Sequence, residues 1–391
     1  MVEPFIFGRE VTGAELVDRE EELEEVVRAL SNRRRHFLIG PRRFGKTSIL
    51  ATAAARVREL GGVVVSVNAE EFVTEEAVAA EIVAQSAAQS GWSLSTAIVR
   101  ARELFGRLRP QVSYDPLRDT WSADLNFDGG DSPTKLVSEA LEGLNRLGET
   151  RKHPVALIID EFQQLVAEGG IAAERQLRAV IQRQRDVAYV FAGSDESMMT
   201  AITSEHSRPF YRLGSKRYLG PIPRADFRAH LRSVFDRSGV DIADGAVEQI
   251  LDLSRDVPYS VQRLALTCWE ATRRPTLPKA ADARPLIDEA FVDERFERFL
   301  QLESPTYSQF MTTLTRTQLV CLKFYADHGA RPIKWQSVAR SLKLAVSTLR
   351  RATEGLVNKA FLRRVFDGEV DTKFAFEDPF LGEWVRRRLH V

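Results

Sequence analysis

The stretch Gly40-Pro41-Arg42-Arg43-Phe44-Gly45-Lys46-Thr47 follows the pattern G-x-x-x-x-G-K-[ST] at every fixed position. That spacing is what a loop around phosphates needs. Glycines let backbone N–H groups come close to phosphate oxygens, and the helix starting at Gly45 adds the positive end of its dipole. Lys46 reaches the β- and γ-phosphates, Thr47 offers a hydroxyl to Mg²⁺, and Ser48 continues the same helix start. Further along, "LIIDEFQQL" ends an apolar run on Asp160, with Glu161 next. An acid at a strand tip can hold a magnesium shell, and a carboxylate beside it can orient and deprotonate an attacking water. Taken alone, Asp-Glu after a strand also fits a helix N-cap. The pairing with the loop at Gly40 decides for the chemistry. Ser194, at the end of "VAYVFAGS", falls where a γ-phosphate would lie; it reads as a polar sensor or as a plain turn former.

These residues require a parallel sheet to position them. "HFLIG", "GGVVVSVN", "PVALIID" and "VAYVFAGS" read as apolar strands, and "RYLGPI" as a shorter one. Helices are expected between them: residues 19–30, with Leu23, Val26, Val27 and Leu30 on one face, then 45–60, a helical region over 74–107, 134–147 and 172–185. Strand alternating with helix implies a parallel sheet covered on both faces. Residues 108–133 break this rhythm and read as an inserted hairpin. After Pro223 come four helical stretches, from "RADFRAHLRSVFDRSG" to "LIDEAFVDERFERFLQ", with a Pro-rich loop "TRRPTLPKAADARP" among them. The tail shows a helix, "RTQLVCLKFYADHG", then "WQSVARSL" and "AVSTLRRATEGLVNKA" around a short turn. Two extended runs about Asp367-Gly368 follow, a hairpin signal. Helix-turn-helix and wing make a winged-helix domain. The expected organisation is an ATPase domain over 1–223, a helical lid over 224–305 and a winged helix over 306–391.

With 391 residues, two or three domains are expected. No apolar run approaches the ~20 residues of a membrane span, and "MVEPFIFGRE" shows no secretory signal. Cys268 and Cys321 lie far apart, and no HExxH occurs, which argues against a disulfide framework or a zinc site. A cytoplasmic protein without a membrane partner is expected. Lysine plus arginine balance aspartate plus glutamate at 55 each, yet residues 311–391 carry 15 basic and 8 acidic residues. A basic tail on an acidic body points to a phosphate backbone as partner, or to a solvated basic face.

The chain resembles the AAA+-related ATPases of the STAND type, in particular the archaeal-type ATPases, and more distantly the replication initiators of the origin-recognition class. The segments that carry the resemblance are "LVDREEELEEV", "GPRRFGKTSIL", "IIDEFQQL", "FAGSDESMM", "RPFYRLGSKRYLGPI", "DVPYSVQRLA" and the winged helix, and they cover nearly the whole length. An extra strand between the phosphate loop and the acid pair is typical of P-loop ATPases that use a glutamate base. The resemblance implies an α/β fold, a P-loop NTPase parallel sheet of the ASCE or AAA+ kind with a helical lid, acting on ATP with Mg²⁺. It implies that Val17 and Arg19 line an adenine pocket and that Pro258 touches the base, although the glycine usual in that turn is replaced in Asp256-Val257-Pro258. Arg263 becomes a second sensor or a surface arginine of a lid helix. Arg212 in "PFYR" becomes a γ-phosphate sensor or half of a structural salt bridge.

The expected function is an ATP-driven switch with slow turnover whose nucleotide state controls the winged helix. A second reading is a DNA-binding ATPase of the replication-initiator or transposition-regulator kind, with Ser347, Thr348, Arg350 and Arg351 facing DNA. A third is a regulator that self-assembles on a trigger or meets a protein partner. No NKxD for guanine and no LSGGQ-like signature occurs.

Overall fold

The computed structural model describes residues 3–8, 13, 16–72, 74–126, 133–273, 284–365 and 373–390. They divide into two compact units. The first holds residues 12–41 and 46–220; the second holds 1–11, 42–45 and 221–391.

The first unit is built on β1 (Arg35–Ile39), β2 (Val63–Asn68), β5 (Val155–Asp160), β6 (Val187–Gly193) and β7 (Ser215–Tyr218), in the order β2-β5-β6-β1-β7. All four pairings are parallel, with Ile39 opposite Gly193, Asn68 opposite Asp160 and Ile159 opposite Phe191. Strands buried on both faces carry continuous apolar runs, as in β5, where all six residues are buried. One face, with Phe37, Val65, Leu157, Tyr189 and Phe191, shares a core with α3 (Glu75–Gln89), α5 (Pro133–Thr150) and α6 (Gln163–Arg183). The helices α1 (Glu20–Ser31) and α2 (Lys46–Glu59) pack on each other and against β6 and β2.

The helical region expected over 74–107 is two helices, α3 and α4 (Leu94–Leu104). Gly91, at φ 66°, turns the chain, and Ser93 caps α4 by accepting from the Thr96 N–H. The inserted hairpin is β3 (Pro110–Asp115) paired antiparallel with β4 (Thr120–Leu125), outside the main sheet; its expected end, 127–132, lies outside the described residues. The α6 helix starts nine residues earlier than expected and breaks at Gly170, where φ is 62°. The α7 helix (Glu196–Ser204) follows Ser194-Asp195, and Asp195 caps it.

The second unit contains α8 (Arg224–Arg237), β8 (Asp241–Ile242), α9 (Asp244–Ser254), α10 (Pro258–Thr272), β9 (Leu286–Ile287) and α11 (Glu289–Thr312). It continues with α12 (Arg316–His328), α13 (Trp335–Ser341), α14 (Val346–Asn358), β10 (Leu362–Val365), β11 (Lys373–Phe376) and α15 (Pro379–Arg388). β8 and β9 form a parallel two-residue pair that the sequence reading lacked. β10 and β11 are antiparallel, so three helices and a strand pair stand in the expected order. The hairpin turn at Asp367-Gly368 and most of the Pro-rich loop, 274–283, lie outside the described residues. The expected border at 305/306 falls inside α11, and the unforeseen α15 packs on α9 and α11 as well as on α12. Phe380 of α15 stands 5.3 Å from Phe296 and 5.1 Å from Phe299, ring centre to ring centre.

Candidate nucleotide site

The site grows from three neighbouring strand ends of the first unit. β6 lies between β1 and β5, so the tips at Gly40, Asp160 and Ser194 converge at the carboxyl edge of the sheet. The Gly40 N–H donates to the Gly193 carbonyl at 3.3 Å. A Cβ at Gly40 would stand 2.7 Å from Leu219 Cβ and 3.0 Å from its carbonyl oxygen, so the first loop glycine is set by close approach. The second, Gly45, has φ 91°, a conformation open to glycine. α2 then begins at Lys46 and presents its N-terminal end to the loop.

Lys46 is buried, and its Nζ donates to the Pro41 carbonyl at 3.0 Å across the base of the loop. The Thr47 hydroxyl donates to Asp160 Oδ2 at 2.8 Å, which joins the loop to the acid pair. Asp160 Oδ1 accepts the Glu161 N–H at 2.9 Å. Burial pushes the Asp160 carboxyl above its ordinary pKa; the charge of Lys46 and the bond from Thr47 oppose that rise. A buried carboxylate beside a hydroxyl is a donor set that suits a hard cation, whose charge would hold the acid ionised. Among the described residues no group of three or more His, Cys, Asp or Glu could hold a metal; a Mg²⁺ arriving with a nucleotide would be held by Thr47 and Asp160.

Glu161 is held differently. Its Oε2 accepts the Ser194 hydroxyl at 2.7 Å, the Ser194 N–H at 3.3 Å and the Gln163 Nε2–H at 2.5 Å. Ser194 therefore meets Glu161 directly, which the sequence reading, placing it against a phosphate, did not foresee. Gln163 was not anticipated at all. It stands in plain view in "DEFQ", but its role depends on the turn into α6, which no spacing rule encodes.

The remaining candidates are distributed as follows. Arg19 is buried, donates to the Gly220 carbonyl at 2.7 Å and pairs with Glu22 at 3.3 Å; Val17 is half-buried two residues before it. Ser48 is buried in the first turn of α2, and its carbonyl accepts the Thr52 hydroxyl. Arg212 is exposed, with its guanidinium 5.1 Å from the centre of the adjacent Tyr211 ring. The loop tip, residues 42–45, groups with the second unit. There Arg43 lies 3.6 Å from Asp378 and 4.9 Å from the Tyr259 ring centre, and Arg363 lies 5.1 Å from that of Phe44. Arg42 is exposed. Pro258 opens α10, and Arg263 is engaged within the second unit, 2.6 Å from Glu303 and 4.5 Å from the Phe299 ring centre.

On α14, Ser347, Thr348, Arg350 and Arg351 are all exposed, while Leu349 and Leu356 are buried. Arg350 stacks 5.2 Å over Trp335. Part of the tail's positive charge is paired: Arg387 with Glu297 at 3.1 Å, Arg386 with Glu383, and Arg364 with Glu354 at 2.6 Å.

Residues 16–218 match the model of a family described as an ATPase domain predominantly from Archaea. Among solved structures, the chain is similar to a Walker-type ATPase of Pyrococcus abyssi (17% identity, 98% of this chain and 99% of that chain, TM-score 0.63). It is also similar to the ORC2 protein of Aeropyrum pernix in its ADPNP–ADP complexes (16%, 97% and 95%, TM-score 0.53). A third likeness is to the ORC1 protein of the same organism in complex with DNA (16%, 95% and 93%, TM-score 0.50). At such identities these likenesses concern the fold. No curated protein matches the chain. No helix among the described residues is long and apolar enough to cross a membrane.

Proposed function

The chain belongs to the family of ATPase domains predominantly from Archaea, and on that premise we propose that it is an ATP-hydrolysing switch of the AAA+/STAND type. The observation that carries the reading is the bond between Thr47 and Asp160, with Glu161 beside it. Two groups suited to Mg²⁺ and one suited to act as a base stand at the end of a phosphate loop. Mg²⁺, when bound with ATP, would neutralise charge on the β- and γ-phosphate oxygens. The chain's own groups do the rest. Backbone N–H groups of the loop and Lys46 cradle the phosphates, and Thr47 and Asp160 fix the cation. Glu161 orients a water for in-line attack and takes its proton. Residues 224–305 act as a lid and 306–391 as a winged-helix module whose state follows the nucleotide; the presence or loss of the γ-phosphate is the signal.

Nucleotide loading and single-turnover hydrolysis by purified protein test this reading. Wild-type protein should retain ATP or ADP, and Lys46→Ala should lose it. Glu161→Gln should keep binding but lose hydrolysis by at least about a hundredfold. Retention of nucleotide by Lys46→Ala, or undiminished hydrolysis by Glu161→Gln, refutes it.

A second reading is a DNA-binding ATPase, favoured by the exposed row Ser347, Thr348, Arg350 and Arg351 on α14. Gel shifts across salt concentrations discriminate, because phosphate contacts strengthen as salt falls. Absence of a shift at low salt removes it.

A further inference from the structure

We propose that Gln163 is a positioning residue for ATP hydrolysis, which fixes Glu161 Oε2 together with Ser194 and so sets the other carboxylate oxygen toward the attacking water. This rests on the hydrolytic reading above and adds a residue to it.

Three features of the first unit carry the inference. The first is geometry. Three donors converge on one oxygen, Glu161 Oε2, and the shortest contact is that of Gln163 at 2.5 Å; the same amide also reaches the Ser194 hydroxyl at 3.4 Å. A carboxylate bonded to Gln163 on one side and Ser194 on the other has lost its rotational freedom, which is the preorganisation a base needs.

The second is how firmly Gln163 itself is placed. It opens α6 directly after Phe162, whose N–H donates to the Ala192 carbonyl of β6 at 2.9 Å. The Phe162 ring is fully buried, 4.7 Å from Phe191 and 5.2 Å from Phe210, ring centre to ring centre. The turn from β5 into α6 is therefore pinned to the neighbouring strand, and the Gln163 side chain leaves it from a fixed point.

The third is a polar group left without reward. Gln163 is 4% exposed, and its Oε1 is buried with no hydrogen-bond partner among the described residues. It faces Gly193, where a Cβ would come within 2.4 Å of it. Buried amides that serve packing alone satisfy both ends, because an orphaned acceptor is costly. An apolar side chain of similar size would avoid that cost. What it would not supply is the donor to Glu161.

The step this serves balances as follows. The water oxygen forms a bond to the γ-phosphorus, and the bond from that phosphorus to the β,γ-bridging oxygen breaks with its electron pair remaining on ADP. One proton of the water passes to Glu161 Oε1, while Oε2 keeps its donors, and the proton is later released to phosphate or solvent.

Gln163→Leu separates positioning from support. It deletes the donor to Glu161 and the orphaned Oε1 together. The expected result is a ten- to hundredfold fall in kcat, ATP KM within about twofold of wild type, and a melting temperature equal to or above wild type. In a Glu161→Gln background the same substitution should have no further effect on hydrolysis, since residues acting as a unit are not additive. Gln163→Asn, which keeps the amide but withdraws it by one methylene, should also lower kcat and serves if the leucine variant does not fold. Turnover of both variants within about twofold of wild type overturns the proposal, and so does an equal fall with and without Glu161. If wild type hydrolyses ATP no faster than Glu161→Gln, the hydrolytic reading fails and takes this one with it.

Discussion

Gly193→Ala is the most informative single change at the strand tips. Gly193 ends β6 between β5 and β1. A Cβ there would stand 2.4 Å from Gln163 Oε1, 2.6 Å from Met199 Cγ and 2.7 Å from Met199 Sδ. Ordinary contact begins at 3.4 Å, so the Gln163 amide must retreat by about 1 Å. A retreat of that size stretches its 2.5 Å bond to Glu161 toward the limit of hydrogen bonding. The stability cost is modest, because amide and thioether are flexible groups. About 1–2 kcal/mol, or a few degrees of melting temperature, is expected for such overpacking. The catalytic cost should be larger, roughly tenfold or more, because an angstrom of misplacement at a base is felt in the transition state. Single-turnover hydrolysis of pre-bound ATP, run beside thermal unfolding and nucleotide titration, reads the three quantities separately. Hydrolysis unchanged in a variant that has lost a few degrees refutes the reasoning. So would a parallel loss of ATP affinity, which would mean that the loop rather than Glu161 had moved.

Three further outcomes are expected. Glu174 has a fully buried side chain, pairs with Arg208 at 2.7 Å and accepts the Phe210 N–H; Arg208→Ala should cost roughly 3 kcal/mol or more by stranding the carboxylate. Burial already raises the Glu174 pKa, so that carboxyl contributes stability at low pH and loses it as pH rises through its folded pKa; the variant's deficit, read by urea unfolding, should shrink on acidification. His36 and His230 are held near a pKa of about 4 by burial. The unfolded chain takes up those protons near 6.5, so stability should fall between pH 6.5 and 4, by up to about 3 kcal/mol per histidine, and His36→Gln should flatten that slope in denaturant titrations. If α14 meets DNA, Arg351→Ala should weaken binding and reduce its salt dependence by about one ion, and a gel-shift series showing no change removes that residue from the interface.

What could be read from the residues depended on range. The phosphate loop and the Asp160-Glu161 pair are local patterns, and their expected positions, after a strand and before a helix, are where they occur. Four of the sheet strands, β1, β2, β5 and β6, announce themselves because they are buried and carry apolar runs; the edge strand β7, expected over "RYLGPI", is instead the mostly exposed Ser215–Tyr218. The β8–β9 pair was invisible, since two residues carry no period and their partners, such as Asp241 and Leu286, lie far apart in the chain. The break between α3 and α4 was missed because alanine-rich sequence runs up to it on one side and resumes soon after, and only Ser93 and Gly91 mark it. α15 was missed because its buried face is made by other helices, α9, α11 and α12, rather than by a stripe readable on its own.

Two adjacent carboxylates ended with different partners, and the reason is a single backbone torsion. Residues next to each other in a regular strand point to opposite faces, which would send Glu161 away from the strand tips. Glu161 instead adopts φ 51°, a left-handed conformation that side chains other than glycine rarely take. The chain turns there, Asp160 stays with Thr47, and Glu161 meets Ser194, just past the end of the neighbouring strand β6. Such a conformation costs on the order of 1 kcal/mol and is kept where its surroundings over-determine it. The surroundings here are the Asp160 Oδ1 bond to the Glu161 N–H, the Phe162 anchor to Ala192 and the donors on Oε2. Glu161→Gln keeps the turn and tests the charge alone. Glu161→Gly relieves the torsion while deleting the side chain, so it should leave stability nearly unchanged although three polar contacts are lost. A large destabilisation in the glycine variant would mean that the carboxylate holds the turn, rather than the turn holding the carboxylate.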